Sequence, residues 1–315
     1  MTINQDGMRV REQGPCHLLK LGDLSPEEIL SILGLADQLK YERAHNISHP
    51  LLKGKTLGMI FQKASTRTRV SFEVGMAQLG GVALFLSGRD LQIGRGEPIQ
   101  DTARVLSRYV DGLMIRTFAQ REAEDLARYG SVPVINGLTD YAHPCQVLAD
   151  LLTIRERKGF FRGLKLCFVG DGNNVANSLI VGCLKMGMEM SVACPDEHRP
   201  DPDILSWAAE NGLFACSSDV ESMVRGADVV YTDVWASMGQ EDEAAGRLQS
   251  FEGFQVNDAL MAAAHPGAMV LHCLPAHRGE EITEDVLEAH ADDIFDQAEN
   301  RLHTQKAILV KLMQG

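Results

Sequence analysis

Short apolar runs alternate along this chain with longer stretches whose apolar positions recur at helical spacing. In the first half the runs fall at 56–61, 82–86, 112–115 and 132–135, and the helical patterns at 26–43, 66–79, 99–109 and 121–129. The runs read as strands, and the βαβα order predicts a parallel sheet with helices on both faces. Ser25-Pro26-Glu27-Glu28 marks one helix start with a Ser cap, Pro at the first helical position and Glu three residues past the cap. After Lys158-Gly159-Phe160-Phe161-Arg162-Gly163 a second series opens, with strand-like runs at 164–169, 190–193, 213–215, 229–232 and 268–271. The fold class is therefore α/β: two doubly wound parallel-sheet domains, joined by the helical stretch 144–157. A last helical pattern, 300–313, has no strand after it.

Composition narrows the function classes. The chain has 315 residues, 45% apolar and 23% charged, enough for two cored domains. No run reaches the length of a membrane span, and the N-terminus lacks the apolar segment of a secretory signal, so a cytoplasmic location is expected. Seven cysteines with no C-x-x-C spacing fit reduced thiols. A net charge of −13 gives no electrostatic support to nucleic acid or an anionic membrane as partner. An anionic substrate would have to be held by local arginines and helix N-termini at close range.

Such a place exists at Ser65-Thr66-Arg67-Thr68-Arg69, between the run 56–61 and the helical pattern of Val70, Phe72, Val74 and Ala77. A helix start presents unpartnered N–H groups and partial positive charge to an anion. Ser65, Thr66 and Thr68 add hydroxyls, and Arg67 offers a planar fork for two phosphate oxygens. A simple Ser/Thr cap with solvated arginines after it is the alternative. Two arginines in one turn favour the anion seat, because like charges at the positive end of a helix need an answering charge, and the nearest carboxylate in sequence is Glu73.

Ligands of open α/β sheets bind beyond the carboxyl ends of strands, so the residues immediately after each run are candidates for chemistry. Arg116 comes directly after 112–115, where a surface arginine is also common. Asp140-Tyr141-Ala142-His143-Pro144-Cys145-Gln146 opens a helix with His143 and Gln146 on one side of its first turn, as a ligand contact or as a cap. Gly170-Asp171-Gly172-Asn173-Asn174 resembles a weak dinucleotide turn whose third glycine is replaced by Val175. Asp233-Val234-Trp235-Ala236-Ser237-Met238-Gly239 comes after 229–232, and Asp233 alone would serve as a helix cap. His272, Cys273 and His277 are too few for a closed zinc site, and a nucleophilic cysteine is a further reading of Cys273.

Phe61 to Glu73, FQKASTRTRVSFE, resembles the carbamoyl-phosphate signature of the aspartate/ornithine carbamoyltransferase family, and agreement extends from about residue 60 to about 305. The resemblance implies that Ser65, Thr66, Arg67 and Thr68 hold the phosphate of carbamoyl phosphate. Arg116, His143, Gln146, Cys273, Leu274 and Arg301 would also contact carbamoyl phosphate, with Cys273 linked to Asp233 and helping to position and deprotonate the acceptor's δ-amine. So would Gln92 of the loop Asp90-Leu91-Gln92-Ile93-Gly94, reaching into a neighbouring subunit of a homotrimer. Asn174, Asp233, Ser237 and Met238 would bind L-ornithine, with Arg116, His143, Asp233 and Cys273 as the catalytic set. Cys145 stands where the family usually has Thr. Residues 1–150 would bind carbamoyl phosphate, with the terminal helix 300–315 packed back on them, and 151–299 would bind ornithine. No metal or organic cofactor is implied. The activity implied is carbamoyl transfer to the δ-amine of ornithine, in arginine biosynthesis. Alternatives are another amine acceptor, such as putrescine or acetylornithine, an NAD-dependent dehydrogenase built on the Gly170 turn, and a non-catalytic phosphate sensor.

Overall fold

The computed structural model describes residues 15–236 and 244–314, with the backbone of residues 2–3 and 9–10. The chain divides into two compact units, one of residues 1–148 and 301–315, the other of residues 149–300.

In the first unit the antiparallel pair β1 (Thr2–Ile3) and β2 (Arg9–Val10) precedes helix α1 (Pro26–Ala44). The capping box read from Ser25 and Glu28 is complete: the Glu28 N–H donates to Ser25 Oγ at 3.2 Å, and the Ser25 N–H to Glu28 Oε2 at 2.6 Å. Strands β3 (Thr56–Phe61), β4 (Val82–Ser87), β5 (Gly112–Arg116) and β6 (Val134–Leu138) form a parallel sheet in the order β4-β3-β5-β6. Helices α2 (Thr66–Gln78), α3 (Ile99–Leu106) and α4 (Gln120–Tyr129) connect them. Ile60, Leu113, Ile115, Leu126 and Val134 form its core. The strand order reverses between β3 and β5, so the loops after these two strands part there and leave room for a ligand.

Several boundaries differ by a few residues from those read in the sequence. The fourth strand begins at Val134 rather than 132, because Pro133 has no N–H to give a ladder and contributes its carbonyl to Leu113 N–H instead. Arg116 is the last residue of β5, not the first of a loop. Helix α3 stops at Leu106, where Ser107 turns its hydroxyl onto the Ala103 carbonyl.

Helix α5 (Pro144–Lys158) runs from the first unit into the second. There β7 (Lys165–Val169), β8 (Glu189–Ala193), β9 (Phe214–Ser217), β10 (Val229–Thr232) and β11 (Met269–His272) form a parallel sheet in the order β11-β10-β7-β8-β9. Helices α6 (Asn174–Lys185), α7 (Pro202–Ala209), α8 (Val220–Val224), α9 (Ala244–Ser250), α10 (Asp258–Met261) and α11 (Glu284–Ala289) connect these strands or come after the last. Its core gathers Cys167, Val169, Val230, Val270 and Phe251. Here the order reverses between β7 and β10, directly beneath the Gly170 and Asp233 turns. Helix α12 (Ala291–Met313) closes the chain and begins nine residues earlier than the pattern 300–313 predicts. Asp292 and Asp293 favour its first turn. Its apolar stripe is interrupted by Gln297, Asn300, Arg301 and Thr304, which are buried yet polar.

Candidate active site

The first unit holds a cationic seat. Ser65 caps α2 by accepting from the Thr68 N–H at 3.2 Å, which fixes the Thr66-Arg67-Thr68 turn at the carboxyl end of β3. The two arginines of this turn part company. Arg69 binds Glu73 one helical turn on, at 3.0 Å, and lies over the Phe85 ring. Arg67 acts on His143 together with Arg116 and Arg301: burial is the largest effect on this imidazole, and the three guanidinium groups push its pKa the same way, well below the ordinary histidine value. His143 is therefore neutral at physiological pH and donates or accepts through its ring without adding charge. Arg301, 3% exposed, donates to Gln146 Oε1 at 2.6 Å and to Thr68 Oγ1 at 3.1 Å. Thr68, Gln146 and Arg301 are thus joined by hydrogen bonds although far apart in sequence, and a solvated Arg301 is excluded. Around this group Lys63 pairs with Asp140 and lies over Phe118, and Glu122 accepts from Thr117 and Gln62, fixing the loops after β3, β5 and β6.

Among the described residues no hydrogen bond ties Gln92 to this cluster. It begins a 3-10 turn, Gln92–Arg95, and is exposed.

The second unit carries a carboxylate seat. Asp233 comes directly after β10, and its two oxygens are divided between partners. Oδ2 accepts from Asn173 Nδ2 at 2.8 Å, and Oδ1 accepts from the Val234 N–H at 2.8 Å and from the Cys273 thiol at 2.9 Å. Asn173 is also the cap of α6, accepting from the Val175 and Ala176 N–H groups, so one side chain orients both a helix start and a carboxylate. The family resemblance selects Asn174, the first residue of α6, and passes over Asn173, whose cap role is a plain signal in a turn before a helix. Ser237 and Met238 lie outside the described residues.

Cys273 is placed by its neighbour. His272, the last residue of β11, accepts the Leu274 N–H on Nδ1 at 2.9 Å, so its proton is on Nε2, which donates to Glu281 Oε1 at 3.1 Å. Both side chains are fully buried. Glu281 also accepts the His277 N–H, and Leu274 has φ of 56°, so the His272-Cys273-Leu274 turn is held from both sides. Asp233, His272 and Cys273 present ligand atoms close enough to share an ion. The imidazole nitrogens are both engaged in these hydrogen bonds, and the thiol is given to Asp233, so the trio as it stands is bonded inward.

Two further residues, Arg247 and Gln297, belong to no sequence motif, and Asp171 of the Gly170 turn joins the first of them. Arg247 of α9 donates through Nε to the Trp235 carbonyl at 2.7 Å and through its guanidinium to Asp171. Asp171 is buried; burial pushes its carboxyl up to about 6, Arg247 opposing and Asp233 reinforcing the rise. Gln297 links β11 to β10 by accepting the His272 N–H and donating to Tyr231 and Asp150.

The Gly170 turn is unsuited to a dinucleotide. A Cβ at Gly172 would lie 2.2 Å from the Pro200 nitrogen, so the close approach this glycine would give a pyrophosphate is filled by the chain's own 199–200 backbone.

The first parallel-sheet unit thus offers a phosphate-type helix start and the second a carboxylate at its switch point, each suited to a ligand of opposite charge. Comparison with known proteins agrees. Residues 16–156 match the model of the aspartate/ornithine carbamoyltransferase carbamoyl-P binding domain, and residues 162–312 that of the Asp/Orn binding domain. The chain belongs to the aspartate/ornithine carbamoyltransferase family. The particular proteins it resembles are ornithine carbamoyltransferases. That of Carboxydothermus hydrogenoformans is 57% identical over 301 residues, 94% of this chain and 96% of the relative, and that of Pelobacter propionicus is 54% identical, over 95% and 99%. The solved structure of the Pyrococcus furiosus ornithine carbamoyltransferase superposes with a TM-score of 0.91 at 53% identity, covering 97% of this chain and 99% of that one. The anabolic ornithine carbamoyltransferase of Campylobacter jejuni gives 0.89 at 44%, covering 94% and 98%.

Proposed function

We propose that this protein transfers the carbamoyl group of carbamoyl phosphate to the δ-amine of L-ornithine, giving L-citrulline and phosphate. The observation that carries this reading is the convergence of Arg67, Arg116 and Arg301 on a neutral buried His143 at a phosphate-type helix start. Three cations there call for an anionic ligand. The Ser65-Thr66-Arg67-Thr68 turn holds the phosphate, while Arg116, His143, Gln146, Arg301 and the Cys273-Leu274 turn take the carbamoyl end. Ornithine binds through Asn174, Asp233, Ser237 and Met238, with its δ-amine beside Cys273 and Asp233.

The amine attacks as the neutral base. The nitrogen–carbon bond forms, negative charge grows on the carbonyl oxygen against Arg116, His143 and Thr68, and the carbon–oxygen bond to phosphate breaks as the proton leaves the nitrogen. The Asp233–Cys273 hydrogen bond, at 2.9 Å, provides a short route for steering that proton. Because the donor is already activated, the balance requires no redox or Lewis-acid partner. Protonated ornithine cannot attack, so the rate rises with pH until the amine is free.

The same reading places the protein in arginine biosynthesis and in the cytoplasm, with its seven cysteines as thiols. Among the described residues no helix is long and apolar enough to cross a membrane. A homotrimer is supported by the exposed edge of the first sheet: Val82, Leu84 and Phe85 of β4, with Val70 and Val74 of α2, face outward next to the exposed Gln92 turn. In that assembly Gln92 serves the neighbouring subunit's carbamoyl phosphate.

Calorimetry on Asp233→Asn tests the division of labour. Carbamoyl phosphate should bind as in the wild type, while turnover of ornithine collapses by about 10² or more. Equal loss of both ligands would overturn it.

A further inference from the structure

The acceptor seat depends on a contact that lies behind it. Asp171 sits in the turn after β7, two residues before Asn173; Trp235 sits in the turn after β10, two residues after Asp233. Arg247 of α9 binds both turns at once, donating from Nε to the Trp235 carbonyl at 2.7 Å and from its guanidinium to the Asp171 carboxylate. It is 8% exposed, as is Asp171. Asn173 to Asp233 is a second tie between the same turns, at 2.8 Å. We propose that Arg247, through Asp171 and the Trp235 carbonyl, is a positioning residue that sets the place of Asp233 and thereby the affinity for the amine acceptor. This rests on Asp233 receiving the acceptor, as proposed above.

The turns that carry Asp171 and Asp233 flank the switch point, and the Asp233 carboxylate disfavours the ionisation of Asp171. Arg247 answers that repulsion. His198 Nδ1 lies 3.9 Å from Asp171 and its ring stacks on Phe251, and Cys194 after β8 lies within electrostatic reach. Arg247 is the cation bonded to Asp171. Only a planar fork can give one N–H to a backbone carbonyl and another to a carboxylate in fixed directions; an ammonium keeps the charge and loses the second direction. Arg247 itself stands behind the Asn173–Asp233–Cys273 chain and takes no part in bond making.

Steady-state kinetics on Arg247→Gln, Arg247→Lys and Asp171→Asn, with wild type alongside, separate this role from a purely structural one. Wild type must form citrulline; if it does not, the activity assignment fails and not this inference. Arg247→Gln should raise the ornithine KM about 10- to 100-fold, the scale of a small misplacement, while carbamoyl-phosphate binding by calorimetry stays within about twofold. Arg247→Lys should recover only part. The pH profile gives the sharper reading. With the guanidinium gone, the Asp171 carboxyl rises further above about 6, and the pH below which ornithine binding fails moves in the alkaline direction. In Asp171→Asn that shift should be absent, and adding Arg247→Gln to it should cost little more than either change alone. A folded Arg247→Gln protein, with an unfolding midpoint near wild type, that kept the ornithine KM and its pH profile would overturn the inference. So would parallel loss of both substrates, or an alkaline shift that persisted in the Asp171→Asn background.

Discussion

Single side chains in this protein are chosen for geometry more than for charge. Arg69 and Arg67 are two residues apart in one turn, yet Glu73 and the Phe85 ring take the first while the second acts on His143. The fork of Arg67 is what a phosphate would use. Arg67→Lys keeps the charge and loses the bidentate contact, and a drop of about 10² to 10³ in citrulline formation is the expected result. Rates near wild type would remove Arg67 from the phosphate seat. The same scale shows what sequence conceals. Asp233, Cys273 and Arg301 are legible because each belongs to a recognisable local motif. Arg247 is not, since an arginine in a polar helix has nothing local to distinguish it; its meaning comes from two turns that the sheet order brings beside it. Asn173 is overshadowed by its neighbour, which carries the ligand role that the family resemblance implies.

Elements explain why those side chains stand where they do. Strands β3, β5, β7 and β10, which lead to Ser65, Arg116, Asn174 and Asp233, flank the switch points of their sheets, whereas β6 and β11, which precede His143 and Cys273, lie at sheet edges. The apolar runs alone are enough to find all nine strands of the two main sheets to within a few residues. Helix α12 begins well before its apolar pattern does, because its interior is polar where an apolar stripe would be sought. Gln297, Asn300 and Arg301 are buried with hydrogen-bond partners supplied by residues more than a hundred positions away. Capping, by contrast, is local and readable at Ser25 and Ser65. Ser65→Ala removes the acceptor for the Thr68 N–H and should cost about 0.5–2 kcal/mol of unfolding free energy, read by urea titration. It should also weaken carbamoyl-phosphate binding, because the turn that presents Arg67 loosens. Unchanged phosphate affinity at reduced stability would restrict Ser65 to a capping role.

For the molecule as a whole, the proposed homotrimer would use the exposed apolar positions of β4 and α2 and the exposed Gln92 turn. A variant disabled at Gln92 and another disabled at Arg301, each nearly inactive alone, can be unfolded and refolded together. If Gln92 serves a neighbour and Arg301 its own subunit, about a quarter of sites in randomly mixed cyclic trimers regain both residues. Mixed trimers, verified by native mass spectrometry, that stay as inactive as their parents would refute a shared site. The net charge of −13 bears on the acceptor as well, since it draws a cationic amino acid and repels an anionic one. The identity of that acceptor is decided by a direct product assay. Carbamoyl phosphate is offered in parallel with ornithine, putrescine, acetylornithine and aspartate, and the carbamoylated products are quantified. Rapid formation of citrulline, with the other three acceptors at least about 10²-fold slower, is the predicted result. Faster carbamoylation of putrescine, acetylornithine or aspartate, or no carbamoylated product at all, would contradict it.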